Sequence, residues 1–252
     1  VYSWRNINVG NMFKNSYDYQ RELDSHMMKN TEWGSVAYLQ HSKYGSGASV
    51  RINNNSAHIT GYAGTEEPTL GYAGGTSTAG NRIESTALGV DATYSVNYLN
   101  SKSLVASTTN NYSGIYDMSG GAWEYVMGYT TGATTVGGSS GITSLYPNFF
   151  SNSAYSKYWD RYTSTVNTNY NNRILGDATG EMGPFGSEKD SDNNTRYKSS
   201  WYKDHAWFAN SSGNLLLRGG GWHDGTSTGV FAFNGNSGGT NTNISFRIVL
   251  AP

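Results

Sequence analysis

Three short apolar runs close the chain, Leu215-Leu216-Leu217, Val230-Phe231-Ala232-Phe233 and Ile244 to Leu250, each bounded by Gly or Asn. Runs of that length between such boundaries predict β-strands rather than helices. The connections, Gly219 to Gly229 and Asn234 to Asn243, are almost wholly small and polar, which predicts two long exposed loops. The end of the chain is expected to be an antiparallel sheet carrying both.

Helical periodicity is confined to Asn15 through about Tyr44. Ser16 is placed to cap a first helix lined by Tyr19, Leu23, Met27 and Met28. Asn30-Thr31-Glu32-Trp33 offers caps for a second, with Trp33, Val36, Ala37 and Leu39 on one side and Gly45 and Gly47 after its end. Residues 45–110 are rich in Gly, Asn, Ser and Thr, and Tyr62, Tyr72, Tyr94, Tyr98 and Leu99 give these loops something to pack with. Thr130 to Gly141 looks like a linker but need not divide the chain, since 114–127 and 215–250 fit one core. Glu188 to Asn194 reads as an exposed acidic loop. The expectation is an α+β fold over 1–252 as a single domain: two helices, a twisted antiparallel sheet and extensive loops.

Charged residues are 14%, against a usual quarter, so neutral hydrogen-bonding groups must dominate the surface. The 17 Lys and Arg nearly balance 18 Asp and Glu, and no basic stripe exists, which argues against nucleic acid as a partner. With no cysteine there is no disulfide, thiolate nucleophile or zinc knuckle. No run of about 18 apolar residues occurs and Val1 is not an initiator Met, so a soluble fragment or a mature form with any signal or anchor missing, without direct membrane insertion, is expected.

Gly114-Ile115-Tyr116-Asp117-Met118-Ser119-Gly120-Gly121-Ala122-Trp123-Glu124-Tyr125-Val126 closely resembles the G-L-Y-D-M-x-G-N-x-W-E-W signature of the formylglycine-generating enzyme (sulfatase-modifying factor) family. Leu217-Arg218-Gly219-Gly220-Gly221-Trp222 is similar to its L-R-G-G-S-W, and Ser245-Phe246-Arg247-Ile248-Val249 to its G-F-R-x-V. Lys29 to Ala37 resembles its L-P-T-E-A-E-W-E-Y-A-A helix more loosely. The resemblance, spanning about 27 to 250, implies the C-type lectin fold in its formylglycine-enzyme variant. It does not extend to the chemistry: the copper-holding cysteine pair is absent, and His26, His41, His58, His205 and His223 include no pair at helical ligand spacing. No enzyme activity of either kind is expected.

A nearer resemblance is to the variable proteins of diversity-generating retroelements and pilin-linked relatives from gut bacteria. These end in R-G-G, loop, G-x-F-x-F, loop, S-F-R-x-V-L. Here those are Arg218-Gly219-Gly220, Gly229-Val230-Phe231-Ala232-Phe233 and Ser245 to Leu250. The resemblance implies a hypervariable binding region of about 218–250. Its contact residues would be Trp222, His223, Asp224, Thr226, Ser227, Asn234, Asn236, Ser237, Thr240, Asn241, Thr242 and Asn243. Most are types reachable by replacing adenines of an Asn codon; Trp222 instead matches the family's fixed Trp. Partners would be a protein or glycan ligand on another cell or a host surface, met from a bacterial surface, pilus or phage particle.

The same resemblance implies a structural calcium on the Asp117 and Glu124 carboxylates and the Gly120 and Ala122 carbonyls, a reasonable oxygen set for a hard cation. With Gly121 in place of the usual Asn, an ion-free turn burying Trp123 fits equally. A rival of another class is an enzyme using His223, Asp224 and Glu181 as acid and base groups, and a third is a structural pilus or phage tip subunit.

Overall fold

The computed structural model describes residues 3–48, 50, 63, 107–111, 113–131, 139–162, 178–179, 185–189, 195–199, 204–207 and 214–251, with 185–189 and 195–199 as backbone only. Most of the 45–110 region, including its five anchoring Tyr and Leu residues, lies outside the described residues, as does Glu181.

The fold is mixed α+β with few helices and an open sheet. Helix α1 (Val9–Tyr17) opens it. The Asn8 side chain accepts from the Asn11 amide at 2.9 Å, satisfying one of the orphan donors at the helix start. Val9, Met12, Phe13 and Ser16 are buried along one face. The expected first helix thus begins earlier than its period suggested. Ser16 does not cap it but sits in its last turns, its hydroxyl donating to the Met12 carbonyl. Tyr19 is exposed, Leu23 lies in a 3₁₀ turn, and Met27 belongs to strand β1 (His26–Met27). The spacing of four spans a helix end, a turn and a strand, and only its last members, Met27 and Met28, are buried.

Helix α2 (Asn30–His41) forms where expected. Its caps come from two directions. The Glu32 carboxylate accepts from the Lys29 amide at 2.8 Å, and Asp160 accepts from both the Thr31 amide, at 2.8 Å, and its hydroxyl. Trp33 and Ala37 are buried, whereas Leu39 is 58% exposed, so the inward face is Asn30, Trp33, Gly34, Ala37 and Gln40. Gly45 is needed beyond the end because a Cβ there would stand 2.3 Å from the Leu39 carbonyl oxygen.

Strand β2 (Trp123–Thr130) is buried at every residue. Strand β6 (Leu215–Arg218) runs antiparallel along one edge. On the other edge β8 (Ile244–Phe246) pairs with Trp123 to Tyr125 and β3 (Asp160–Tyr162) with Gly128 to Thr130, both parallel. The expected antiparallel sheet is therefore mixed. Its remaining strand, β7 (Phe233–Asn236), pairs with β6. This strand starts three residues later than its apolar run, because Val230 and Phe231 form a buried turn and the pairing continues into Asn234 to Asn236. Ile244 to Leu250 breaks at Arg247: Ile248 and Val249 form β9, which pairs with β1. A separate hairpin joins β4 (Phe185–Lys189) to β5 (Thr195–Ser199), so Glu188 lies in a strand and not in the acidic loop.

Alternation along β2 sorts two cores. Trp123, Tyr125, Met127 and Tyr129 pack with α1, Leu215 and Leu217; Val126 packs with Trp33 of α2, Leu216 and Phe233. The first core is an aromatic nest centred on Phe13, which meets Phe149 edge-on at 4.7 Å and Tyr146 at 5.2 Å. Such ring pairs add about 0.5–1.5 kcal/mol beyond area burial. A short helix, α3 (Ile142–Leu145), closes that side against α1.

Candidate ligand-binding face

The first polar loop leaves the sheet, and the second returns to it, at the head of β2; the second sets out from the far end, where Asn236 pairs with Leu215. The Trp123 amide donates to the Asn243 carbonyl at 3.0 Å, and a Cβ on Gly221 would come within 2.9 Å of the Trp123 ring. The loops' roots thus flank one buried indole.

The first loop is braced from within. Asp224 accepts from the Gly221 amide at 2.8 Å while its own amide donates to the Gly221 carbonyl at 3.1 Å. A 3₁₀ turn, Gly225–Ser227, follows, and the His205 amide donates to the Ser227 carbonyl. The second loop leaves β7 at Asn236, whose side-chain oxygen accepts from the buried Tyr125 hydroxyl at 2.6 Å. That hydroxyl in turn accepts from the Gly238 amide at 3.1 Å. The Asn241 side chain accepts from the Asn243 amide, closing a local turn.

The N-terminal segment joins the loops. The Arg5 guanidinium lies 5.3 Å from the centroid of the Trp222 ring and donates through Nη1 to the Thr242 carbonyl at 2.9 Å. The Asn6 amide donates to the Asn241 carbonyl at 2.9 Å. Arg5 therefore touches residues of both loops, which puts 222 and 240–243 on the same side of the molecule.

Of the twelve residues read from sequence, His223, Thr226, Thr240, Asn241 and Thr242 are exposed. Trp222, Asp224, Ser227, Asn234, Asn236, Ser237 and Asn243 are half-buried, with Asp224 and Asn236 holding the loops' own shape. The sequence reading missed Arg5, more than two hundred residues from its partners, and Trp207, 40% exposed beside β7, whose amide donates to the Phe233 carbonyl. No local signal marks either one. His223 Nε2 stands 3.7 Å from Asp224 Oδ1, an ion-pair distance too long for a hydrogen bond.

Beneath the face lies a layer of buried charge. Arg247 Nη2 donates to Glu124 Oε1 at 2.6 Å and Nε stands 2.6 Å from Oε2, so both carboxylate oxygens meet the guanidinium. Arg218, fully buried, and Arg247 each lie 5.9 Å from the Trp33 ring centroid. The turn before Trp123 and the Arg218-Gly219-Gly220 turn lie against each other: the Gly120 amide donates to the Gly219 carbonyl at 3.0 Å. Gly219 and Gly220 have φ of +88° and +77°, and a Cβ on Gly219 would stand 3.2 Å from Trp33, so both conformation and space favour glycine.

The cation set expected at Asp117, Gly120, Ala122 and Glu124 meets a competing partner. Glu124 spends both oxygens on Arg247, and a cation ligated there would have to displace that guanidinium. Among the described residues no group of three or more His, Cys, Asp or Glu gathers as a metal site, and no helix is long and apolar enough to cross a membrane.

Besides tyrosines, three buried groups titrate upward. Burial raises Glu124 to about 7, with Arg247 opposing. Burial raises Asp204 to about 8 against the Phe231 amide and Arg218. For His26 burial opposes the charge, but Glu32, 2.9 Å from Nε2, and the Asp24 carbonyl, 2.6 Å from Nδ1, outweigh it and raise the pKa. In each case the folded chain binds a proton that the unfolded chain has released, so stability falls as pH rises through the window. Burial lowers His41, which acts oppositely only below its ordinary value of 6.5. The melting temperature is therefore expected to fall between pH 6.5 and 8.5, as scanning calorimetry can check; a rise over that interval would contradict these assignments.

Compared with family models and with curated proteins, the chain matches none.

Proposed function

We propose that the chain is a ligand-binding module of the C-type lectin fold, in its formylglycine-enzyme variant, displayed on a bacterial cell, pilus or phage. Its contact surface is the exposed part of loops 221–229 and 234–243, and its partner is a protein or glycan on another surface. The observation that carries the reading is Arg5, distant in sequence, bridging Trp222 and Thr242, since it ties two separate polar loops into one face. Braced turns under outward His, Asn and Thr side chains let those side chains change while the backbone stays, as paratopes require.

Retroelement diversification belongs to the same proposal. Sequencing this locus from several isolates tests it: variation should concentrate at 223, 226 and 240–242 and spare Arg218, Phe233 and Arg247. Variation spread evenly over strands and loops, with His223 and Asp224 unvaried, would overturn it in favour of a catalytic or purely structural role.

For the segment 114–124 we propose the ion-free turn. Adding calcium or EDTA is then expected to leave the melting temperature unchanged. A calcium site filled at about 100 times its Kd would add about 2.7 kcal/mol, a shift of several degrees.

A further inference from the structure

The sequence holds a single Asn-Gly pair, Asn234-Gly235, and it lies in β7. Glycine has no Cβ, so its backbone nitrogen is the least shielded against the carboxamide of the residue before it. A strand ordinarily keeps such a nitrogen engaged in its ladder. Here the ladder's phase leaves it out. In an antiparallel pair, successive residues point their N–H and C=O groups alternately toward the partner strand and away from it. The Gly219 amide donates to the Ala232 carbonyl at 3.2 Å, across the line of the β6–β7 pairing. Phe233 turns to the opposite edge, its amide donating to the His205 carbonyl at 2.9 Å and its carbonyl accepting from the Trp207 amide at 3.0 Å. Gly235 is in phase with Phe233, so its N–H points away from β6.

That amide donates to Asn234 Oδ1 at 2.8 Å, which folds the carboxamide back against the nitrogen that follows it. Asn234 is half-buried, so water reaches it. Asn236, two residues on, shows the contrast. Its Oδ1 accepts from the buried Tyr125 hydroxyl at 2.6 Å, and the next residue, Ser237, carries a Cβ. One carboxamide is held toward its neighbour's nitrogen and the other is held to the core.

We propose that Asn234 is a self-modification site, at which the folded chain converts the carboxamide to a carboxylate with water as the only co-reactant. The Gly235 nitrogen gives its proton to hydroxide and bonds to Asn234 Cγ. The Cγ–Nδ2 bond then breaks, and Nδ2 leaves as ammonia with a proton returned by water. Water next opens the five-membered imide at one of its two carbonyls, giving an aspartyl or an isoaspartyl residue. No atom changes oxidation state, and the sum is carboxamide plus water to carboxylate plus ammonium. Each product adds a negative charge beside Gly235. The isoaspartyl form also routes the main chain through the side-chain methylene, adding an atom to β7 where Asn234 pairs with Leu217. The site rests on strand phase alone and is independent of the loop-face reading.

Incubation of the full chain at mildly alkaline pH, followed by peptide mapping with mass spectrometry, tests it. The peptide containing Asn234 should gain the mass of amide-to-acid conversion and resolve into two isomers, with fragment ions placing the gain at 234. Conversion at 234 should outpace that at Asn236 by on the order of ten-fold or more, since small misplacements of reacting groups cost rate steeply. Gly235→Ala, at a residue whose φ is not positive, puts a Cβ beside the attacking nitrogen and should slow conversion by a similar factor. Asn234→Gln, whose longer side chain would need a larger ring, should remove the gain. Both variants are read only after calorimetry shows a cooperative unfolding transition. An intact Asn234 in the folded parent, a gain seen only after unfolding in urea, equal conversion at 234 and 236, or undiminished conversion in folded Gly235→Ala would each overturn the proposal.

Discussion

Arg247→Ala is expected to destabilise the fold by about 3–5 kcal/mol, because it strands a buried carboxylate. Glu124 is within the fully buried strand β2 and its side chain meets no other cation that could replace the guanidinium within hydrogen-bond distance among the described residues. Removing Arg247 also removes the group that opposes the burial-driven rise of the Glu124 pKa. The acid will then hold its proton to higher pH, so the penalty should be smallest near pH 5 and grow as pH rises through the carboxyl's raised value. Urea unfolding at several pH values measures this. Glu124→Leu combined with Arg247→Met should recover most of the loss, since replacing both members of a buried pair is often neutral. A single variant within about 0.5 kcal/mol of the parent, the range of ordinary surface changes, would contradict the pairing.

Trp33→Ala should cost a similar amount, about 3–5 kcal/mol, by a different route. The ring is fully buried in the second core, its indole N–H donates to the Val230 carbonyl at 2.7 Å, and two guanidiniums lie over it. Truncation leaves a cavity and an unpaired carbonyl together. In a chain of this length the melting temperature should drop on the order of 10 °C. Because Trp33, Arg218 and Arg247 touch, combining their substitutions should be non-additive. A Trp33→Ala variant that melts with the parent would mean that α2 does not anchor on the sheet through this ring.

Much of the frame was legible because it is local. The capping run at Asn30 to Glu32 marks the start of α2 to within a residue, while Gly45 stands four residues beyond its last residue, His41. The Leu215 run marks β6. What was not legible depends on contacts between distant residues. Asp160 caps α2 from another strand, and β8 turns parallel to β2 because Trp123, not a neighbouring strand of its own run, receives it. No periodicity announces such pairing. The helix expected from Ser16 failed for the same reason: Met27 is buried where β1 pairs with β9, and the Met28 amide donates to the Arg247 carbonyl. In the loops, residue types indicated polarity, while the division of labour did not show. Asn236 and Asn241 are the same residue type, yet the first braces the buried Tyr125 and the second, exposed, meets only the amide of Asn243 in its own loop. Arg5 lay outside every loop motif and nonetheless joins them.

The central claim is that strand and turn contacts hold the face while its outward side chains are free to vary. Thermal unfolding of a variant with His223, Thr226, Thr240, Asn241 and Thr242 all replaced by serine tests it most directly. The account predicts a melting temperature within a few degrees of the parent, the sum of near-neutral surface changes. A fall as large as that of Trp33→Ala would show that these side chains support the fold and are not an exchangeable surface.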